Sequence, residues 1–243
     1  WSIAAAALNP NGNLCKSRRF GKIIFQTCKF SRKSKAKNLP FPEMATFAEI
    51  SLGIDETQPR LTWRVESNER GQKQTAYHIL VASSAAALEK NEGDLWDSGK
   101  VASRQTVNVV YSGRPLASRR PCFWKVCVWD KNGRARWSEP AWWTMGLLQA
   151  DDWSANYISF RDATPVHTNN QTLFLPPAHQ YRKDFAAPKM VKRATIYATA
   201  LGIYELYLNG ARVGDAWFAP GWTDYHQRAY YNTCDVTRLV KTG

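Results

Sequence analysis

The sequence predicts an all-β chain of two successive β-sandwiches behind a disordered basic leader. Three observations lead there. Strand-like runs rich in Val, Ile, Tyr and Trp follow one another from Ala45 onward, and no long stretch carries the 3.6-residue period of an amphipathic helix. Cys122–Asp130 alternates cleanly, with Trp124, Val126 and Val128 facing one way and Phe123, Lys125, Cys127 and Trp129 the other. Asn209-Gly210 sits between two strand-like runs and is the strongest short hairpin signal, because both residues tolerate the positive φ of a type I′ turn.

Residues 1–44 form the leader. They carry nine basic residues against Glu43 alone, so +8 of the net +13 lies there and the remaining chain is only mildly basic. A nucleic-acid arm or an organelle transit segment would share this composition. Phe20, Phe25 and Phe30 are the aromatics among these charges, without Trp or Tyr, and nucleic acid is not the expected partner. The expectation is an unstructured leader with at most a short strand at Lys22–Gln26. Trp1–Leu8 lacks the basic front of a signal peptide, and no run reaches the roughly twenty apolar residues of a membrane helix. The first residue is Trp, so the expectation is that the true start is missing or that the chain is a fragment.

The first sandwich spans 45–149. Its elements begin with Pro59–Val65, a polar turn at Asn68–Gly71, and Thr75–Ser83, which lines up Tyr77, Ile79 and Val81 on one face. Ala85–Glu92 reads as a short helix or loop, and Leu95–Lys100 as a short strand ending in a turn. Thr106–Tyr111 is β-branched and strand-like. Cys122–Asp130 follows, Lys131-Asn132-Gly133 turns the chain, and Trp142–Leu147 closes the unit. About a hundred residues of short strands is the usual size of an immunoglobulin or fibronectin III-like module, with Trp63 and Trp124 as core anchors.

The second unit, 150–243, is expected to be the first part of a jelly-roll-like sandwich. Arg161–His179 is rich in Thr, Asn and Pro and reads as a long surface loop. Tyr181–Phe185 restarts the strand pattern, and Ile203–Leu208 alternates into the Asn209-Gly210 turn. The last strand is expected to lack a partner, which makes this sandwich truncated and leaves backbone and apolar surface open.

Five cysteines is an odd number, so at least one stays unpaired within the chain. Cys122 and Cys127 lie on one strand, about 16 Å apart at roughly 3.3 Å per residue, too far for a disulfide. Neither cysteines nor histidines show zinc spacing, and no metal or cofactor is expected. Reduced thiols favour the cytoplasm slightly, whereas Asn170-Gln171-Thr172 would matter as a glycosylation site only after secretion.

Several segments carry a resemblance. Ala200–Tyr207, Asn209-Gly210, Val213-Gly214-Asp215, Ala219–Tyr225 and Tyr231–Thr237 resemble the N-terminal β-domain of bacterial-type α-L-rhamnosidases in order and spacing. Leu52–Asp55, Pro59–Trp63, Gln74–Tyr77, Leu95–Val101 and Trp137–Pro140 resemble the first domain of the same enzymes. Cys122-Phe123-Trp124 departs from the Tyr-Tyr-Trp that the family tends to carry. The resemblance implies that catalysis belongs to acids of a helical barrel further along the parent chain. This chain is then the accessory front of a glycosidase that cleaves terminal α-L-rhamnose by inversion, and alone it is inactive. Its partners would be a rhamnose-containing glycoside and that missing C-terminal catalytic domain, with no membrane involved. The rival is a stand-alone carbohydrate-binding or adhesion module, and the reading frame beyond Gly243 separates the two.

Glycoside hydrolysis needs two carboxyl groups about 5 to 9 Å apart across one bond. Glu205, Asp215, Asp224 and Asp235 are the acids of the rhamnosidase-like stretch, and each reads as a local turn or cap residue. No catalytic residue is assigned. Sugar binding needs an aromatic face beside polar side chains. Trp222, Asp224, Tyr225 and Arg228 supply that within one loop, with Asn209 close by if the hairpin folds over it. The plainer reading has Trp222 and Tyr225 plugging the end of the sandwich, as large aromatics usually do.

Overall fold

The structure, a computed structural model, describes residues 2–4, 51–67, 69–159 and 179–241. In chain order the strands are β1 (Ser2–Ala4), β2 (Ser51–Ile54), β3 (Arg60–Leu61), β4 (Ala76–Ala82), β5 (Trp96–Asp97), β6 (Val109–Val110) and β7 (Pro121–Trp129). They continue as β8 (Ala135–Trp137), β9 (Ala141–Met145), β10 (Thr195–Thr199), β11 (Tyr207–Leu208), β12 (Ala211–Arg212) and β13 (Tyr231–Asp235). A single α-helix among the described residues, α1 (Ala85–Glu89), follows β4. Two compact units divide the chain between Asp152 and Trp153, with the extreme N-terminus belonging to the second.

In the first unit β7 is the central strand. One of its edges pairs antiparallel with β4 over seven residues, from Ala76↔Trp129 to Ala82↔Phe123. The other edge takes β9 along Pro121–Trp124 and β8 along Cys127–Trp129. β2 extends the sheet parallel to β9, and β5 extends it beyond β4. A separate β3–β6 pair forms the second layer. Leu61, Trp63, Val109 and Tyr111 from that side pack with Tyr77, Ile79, Val81, Trp124, Val126, Val128 and Trp143 from the large sheet. The all-β sandwich and both alternations read from the sequence are therefore present, and Trp63 and Trp124 are each fully buried.

Inside this core the Trp63 indole finds a polar partner, whereas the buried Trp124 indole N–H has none. The Trp63 indole N–H donates to Gln74 Oε1 at 2.8 Å, and Gln74 Nε2 donates to the carbonyls of Ser103 (3.2 Å) and Gln105 (3.0 Å). Asp130 closes the β7–β8 turn by accepting from the amides of Asn132 (2.8 Å) and Arg134 (2.9 Å). On the outer face, α1 begins at Ser84, whose hydroxyl accepts from Ala87 N. Its Leu88 covers Leu80 and Ala82, with Phe123 and Trp137 packed alongside.

The second unit builds a three-stranded sheet, β1–β10–β13, and the hairpin β11–β12. β10 and β13 are antiparallel through five residue pairs, and β1 runs parallel to β10. The core is small: Ala194, Ile196, Ala198, Leu208 and Val236, with Tyr204, Leu206 and Val213 packed on it. Asn209 (φ 52°) and Gly210 (φ 81°) make the turn between β11 and β12, both in the left-handed region that a type I′ turn requires.

Several expectations need correction. Ser2–Ala4, placed in a disordered leader, forms β1, while the rest of that leader and the Lys22–Gln26 strand lie outside the described residues. Tyr181–Phe185 is not a strand: it runs exposed without ladder partners. The last strand does find a partner, since Tyr231–Asp235 pairs with Thr195–Thr199. Ile203–Leu206 keeps its alternation but forms only one bridge, Tyr204↔Ala219, because a loop and not a strand faces it. β2 and β8 were not legible as strands, and the loop Arg161–His179 falls almost wholly outside the described residues.

Two measurements follow from this packing. Gln74→Leu keeps the side-chain volume but strands the buried Trp63 N–H and removes the donor to two part-buried carbonyls. It should cost the first unit about 1–3 kcal/mol, seen as a lower urea midpoint by tryptophan fluorescence. Burial pushes the Cys122 thiol up to about 12 and Cys127 up to about 11, so both hold little thiolate near pH 8. Iodoacetamide should label half-buried Cys234 in the native protein and reach Cys122 and Cys127 only after denaturation, as read by peptide mass mapping.

Candidate functional site

The loop after the hairpin is held by hydrogen bonds between side chains and backbone. Thr223 is buried, and its hydroxyl donates to Arg228 O at 2.6 Å. Asp224 starts a tight turn: its Oδ1 accepts from His226 N (3.0 Å), its Oδ2 from Gln227 Nε2 (2.8 Å), and its carbonyl from the amides of Gln227 and Arg228. Tyr225 turns inward, where its hydroxyl accepts from Gly202 N at 2.9 Å and so ties the loop to the bend between β10 and β11. Ala219, buried beneath, accepts from Tyr204 N at 2.7 Å.

Trp222 stands out from this fixed frame with 89% of its surface exposed. It does not plug the end of the sheet. Its neighbours Thr223 and Tyr225 perform the anchoring, and the indole is left in solvent. The Arg228 guanidinium lies over the Tyr230 ring at 5.7 Å. Asn209 is engaged elsewhere: its amide donates to Leu239 O at 2.7 Å and clamps the hairpin tip to the segment after β13. Of the five sequence-derived candidates, Trp222, Asp224, Tyr225 and Arg228 belong to one loop, and Asn209 serves the hairpin.

Two aromatics escaped the sequence reading. Trp217 and Phe218 are 71% and 75% exposed, and the Arg212 guanidinium stacks on the Trp217 ring at 4.2 Å while donating to Ala216 O at 2.7 Å. Phe218 has φ 55°, unusual for a bulky residue, and that backbone turn holds its ring outward. A signal was present: Ala216–Pro220 is an apolar run inside a loop, with no period that would bury it.

The acids of this region face their own surroundings. Glu205 Oε2 accepts from the Tyr207 hydroxyl at 2.9 Å, and that bond, with the carboxylate's charge, raises the phenol's pKa. Burial would raise the Asp235 carboxyl, but the amide and hydroxyl of Thr237, with Arg193 and Arg238 nearby, bring it below its ordinary value. Among the described residues no three His, Cys, Asp or Glu side chains gather as metal ligands would.

Comparison with known proteins matches both units. Residues 46–149 match the Rha78A-like N-terminal immunoglobulin domain, and residues 189–243 match the α-L-rhamnosidase N-terminal domain. An α-L-rhamnosidase of Formosa agariphila is 32% identical over 254 residues, covering 93% of this chain and 26% of the relative. One from an Alteromonas species is 38% identical over 193 residues, covering 78% of this chain and 21% of the relative. Among solved structures, the α-L-rhamnosidase from Dictyoglumus thermophilum superposes with a TM-score of 0.70 at 31% identity, over 86% of this chain and 24% of its own. The enzyme from Aspergillus terreus gives 0.61 at 32% identity, over 80% and 21%. The chain thus spans about a quarter of the length of the curated relatives it matches. It belongs to the α-L-rhamnosidase family as an N-terminal region, an immunoglobulin-like domain followed by residues of the rhamnosidase N-terminal domain.

Proposed function

We propose that this chain is the accessory front of an α-L-rhamnosidase, and that its second unit holds a rhamnose-bearing glycoside for a catalytic part carried elsewhere in the parent protein. The observation that carries the reading is Trp222: a bare indole, 89% exposed, on a loop fixed by Thr223, Asp224 and Tyr225. An exposed indole on a rigid loop loses little conformational freedom when a pyranose ring covers it. Asp224 and Arg228 stand in the same turn and suit the hydroxyls of the sugar, one as acceptor and the other as donor. Tyr225 and Asn209 act as positioning residues, through Gly202 and Leu239.

In this division the parent enzyme hydrolyses terminal α-L-rhamnose by inversion. One acid protonates the leaving oxygen while a base activates water on the opposite face. The acids of this chain take no part in those steps.

The chain alone should release nothing from an aryl α-L-rhamnoside, yet L-rhamnose should perturb its tryptophan fluorescence. Trp222→Ala should abolish that response and shift stability by no more than about 0.5 kcal/mol, as for an exposed side chain. Turnover that disappears on replacing one of the chain's own acids would overturn the division. A fluorescence response that survives Trp222→Ala would remove the site.

A further inference from the structure

The positive charge of the described second unit gathers at one end of its sheet. Lys189, Lys192 and Arg193 precede β10, and Arg238 and Lys241 follow β13; all five are exposed. The antiparallel register brings these segments together: Thr195 faces Asp235, Val236 N donates to Ala194 O at 3.0 Å, and Ala194 N donates to Thr237 Oγ1 at 2.9 Å. Asp235 is the sole acid in 185–196 and 235–241, and its Oδ1 accepts from the Thr237 amide and hydroxyl. Residues 197–234 instead carry three acids, Glu205, Asp215 and Asp224, against Arg212 and Arg228. The excess is therefore local.

Between the same segments lies an apolar crevice of about 20 Å³, lined by Ala187, Val191, Ile196, Val236 and Val240 among others. Its volume admits one water-sized group, and its aliphatic walls give a water nothing to bond. A methyl or C–H edge fits it. The five exposed cationic residues lie within a few positions of lining residues in both segments.

We propose that this end of the second unit binds an anionic polysaccharide, whose carboxylates or sulfate esters lie on the Lys192, Arg193 and Arg238 rim while an apolar edge of a sugar enters the crevice. The inference rests on the glycoside reading above and adds the charge class of the polymer. Nucleic acid fits less well, because bases want several flat aromatic platforms, whereas the crevice is narrow and Phe185 is the single aromatic among its lining residues. Exposed ion pairs are individually weak and screened by salt, so affinity here comes from several rim charges acting on a repeating polyanion.

Affinity electrophoresis of the chain tests this, in gels containing polygalacturonate, dextran sulfate or neutral dextran. Polygalacturonate or dextran sulfate should retard the chain, neutral dextran should not, and added salt should weaken the effect. The two anionic gels show whether carboxylate or sulfate is preferred. The triple variant Lys192→Glu, Arg193→Glu, Arg238→Glu should bind roughly tenfold more weakly. The triple Gln variant at the same positions should show an intermediate loss, and it keeps the test decisive if charge reversal disturbs folding. Lys33→Glu, Lys35→Glu, Lys37→Glu in the leader should leave the retardation in place. Retardation lost in the leader variant but kept in the rim variant would overturn the proposal, as would no retardation at all. Duplex DNA binding as strongly through the rim would also overturn it, by making the surface a general polyanion site. The L-rhamnose fluorescence response should be unchanged in the rim variants, so failure here leaves the Trp222 reading separately testable.

Discussion

Burial of β7 on both faces is the constraint on which the first unit depends. A strand covered on one side only needs a single partner layer, but β7 needs two. Inward, Trp124, Val126 and Val128 meet Leu61, Trp63, Val109 and Tyr111 from the β3–β6 side. Outward, Phe123 packs on the Leu80, Ala82 and Leu88 cluster beneath α1, with its ring 6.4 Å from that of Trp142. Lys125 faces the same way and is the difficult residue, because burial disfavours its charged form and lowers its pKa. Its amine is met by Asn91 Oδ1 at 2.5 Å and by the Trp137 ring at 4.9 Å, while its stem fills apolar space. Asn91 stands just past α1 with φ 61°, so the short helix and the turn that ends it bring the polar partner to the lysine.

The second unit is held on different terms. Its core is a handful of side chains, and its loops are fixed by hydrogen bonds: Tyr225 to Gly202, Thr223 to Arg228, Asn209 to Leu239 and Thr237 to Ala194. Hydrogen bonds order a loop without burying its apolar side chains. Trp217, Phe218 and Trp222 can therefore stay in water on a backbone that does not move to hide them. The same separation explains why the plug reading fails. The inward aromatic duty falls to Tyr225, whose hydroxyl finds backbone partners, and Trp222 is one turn too far out to share it.

How far the sequence revealed this follows from which signals are local. β4 and β7 were legible with their facing, since a strand buried on one or both faces shows its period directly, and Asn209-Gly210 announced its own turn. β2 and β8 were obscure because each is only three or four residues long and is stabilised by pairing with β9 or β7. Tyr181–Phe185 has strand-like composition but gains no ladder, and composition cannot supply a partner. Trp222, Asp224, Tyr225 and Arg228 were legible as one loop because they are neighbours in sequence. That Asn209 serves Leu239 was not, since thirty residues separate them.

The proposed division between recognition here and chemistry elsewhere can be set against the surroundings of two carboxyl groups. A general acid must keep its proton near neutral pH, which needs an environment that raises its pKa, and a partner carboxyl must lie across the bond. Asp235 has the opposite environment: two hydrogen bonds from Thr237, with Arg193 and Arg238 near, stabilise the charged form. Asp224 is engaged by an amide on one oxygen and a carboxamide on the other, which suits turn formation. These same bonds hold the loop beneath Trp222 and the basic end of the sheet in place. Asp224 and Asp235 thus brace the two surfaces at which binding is proposed.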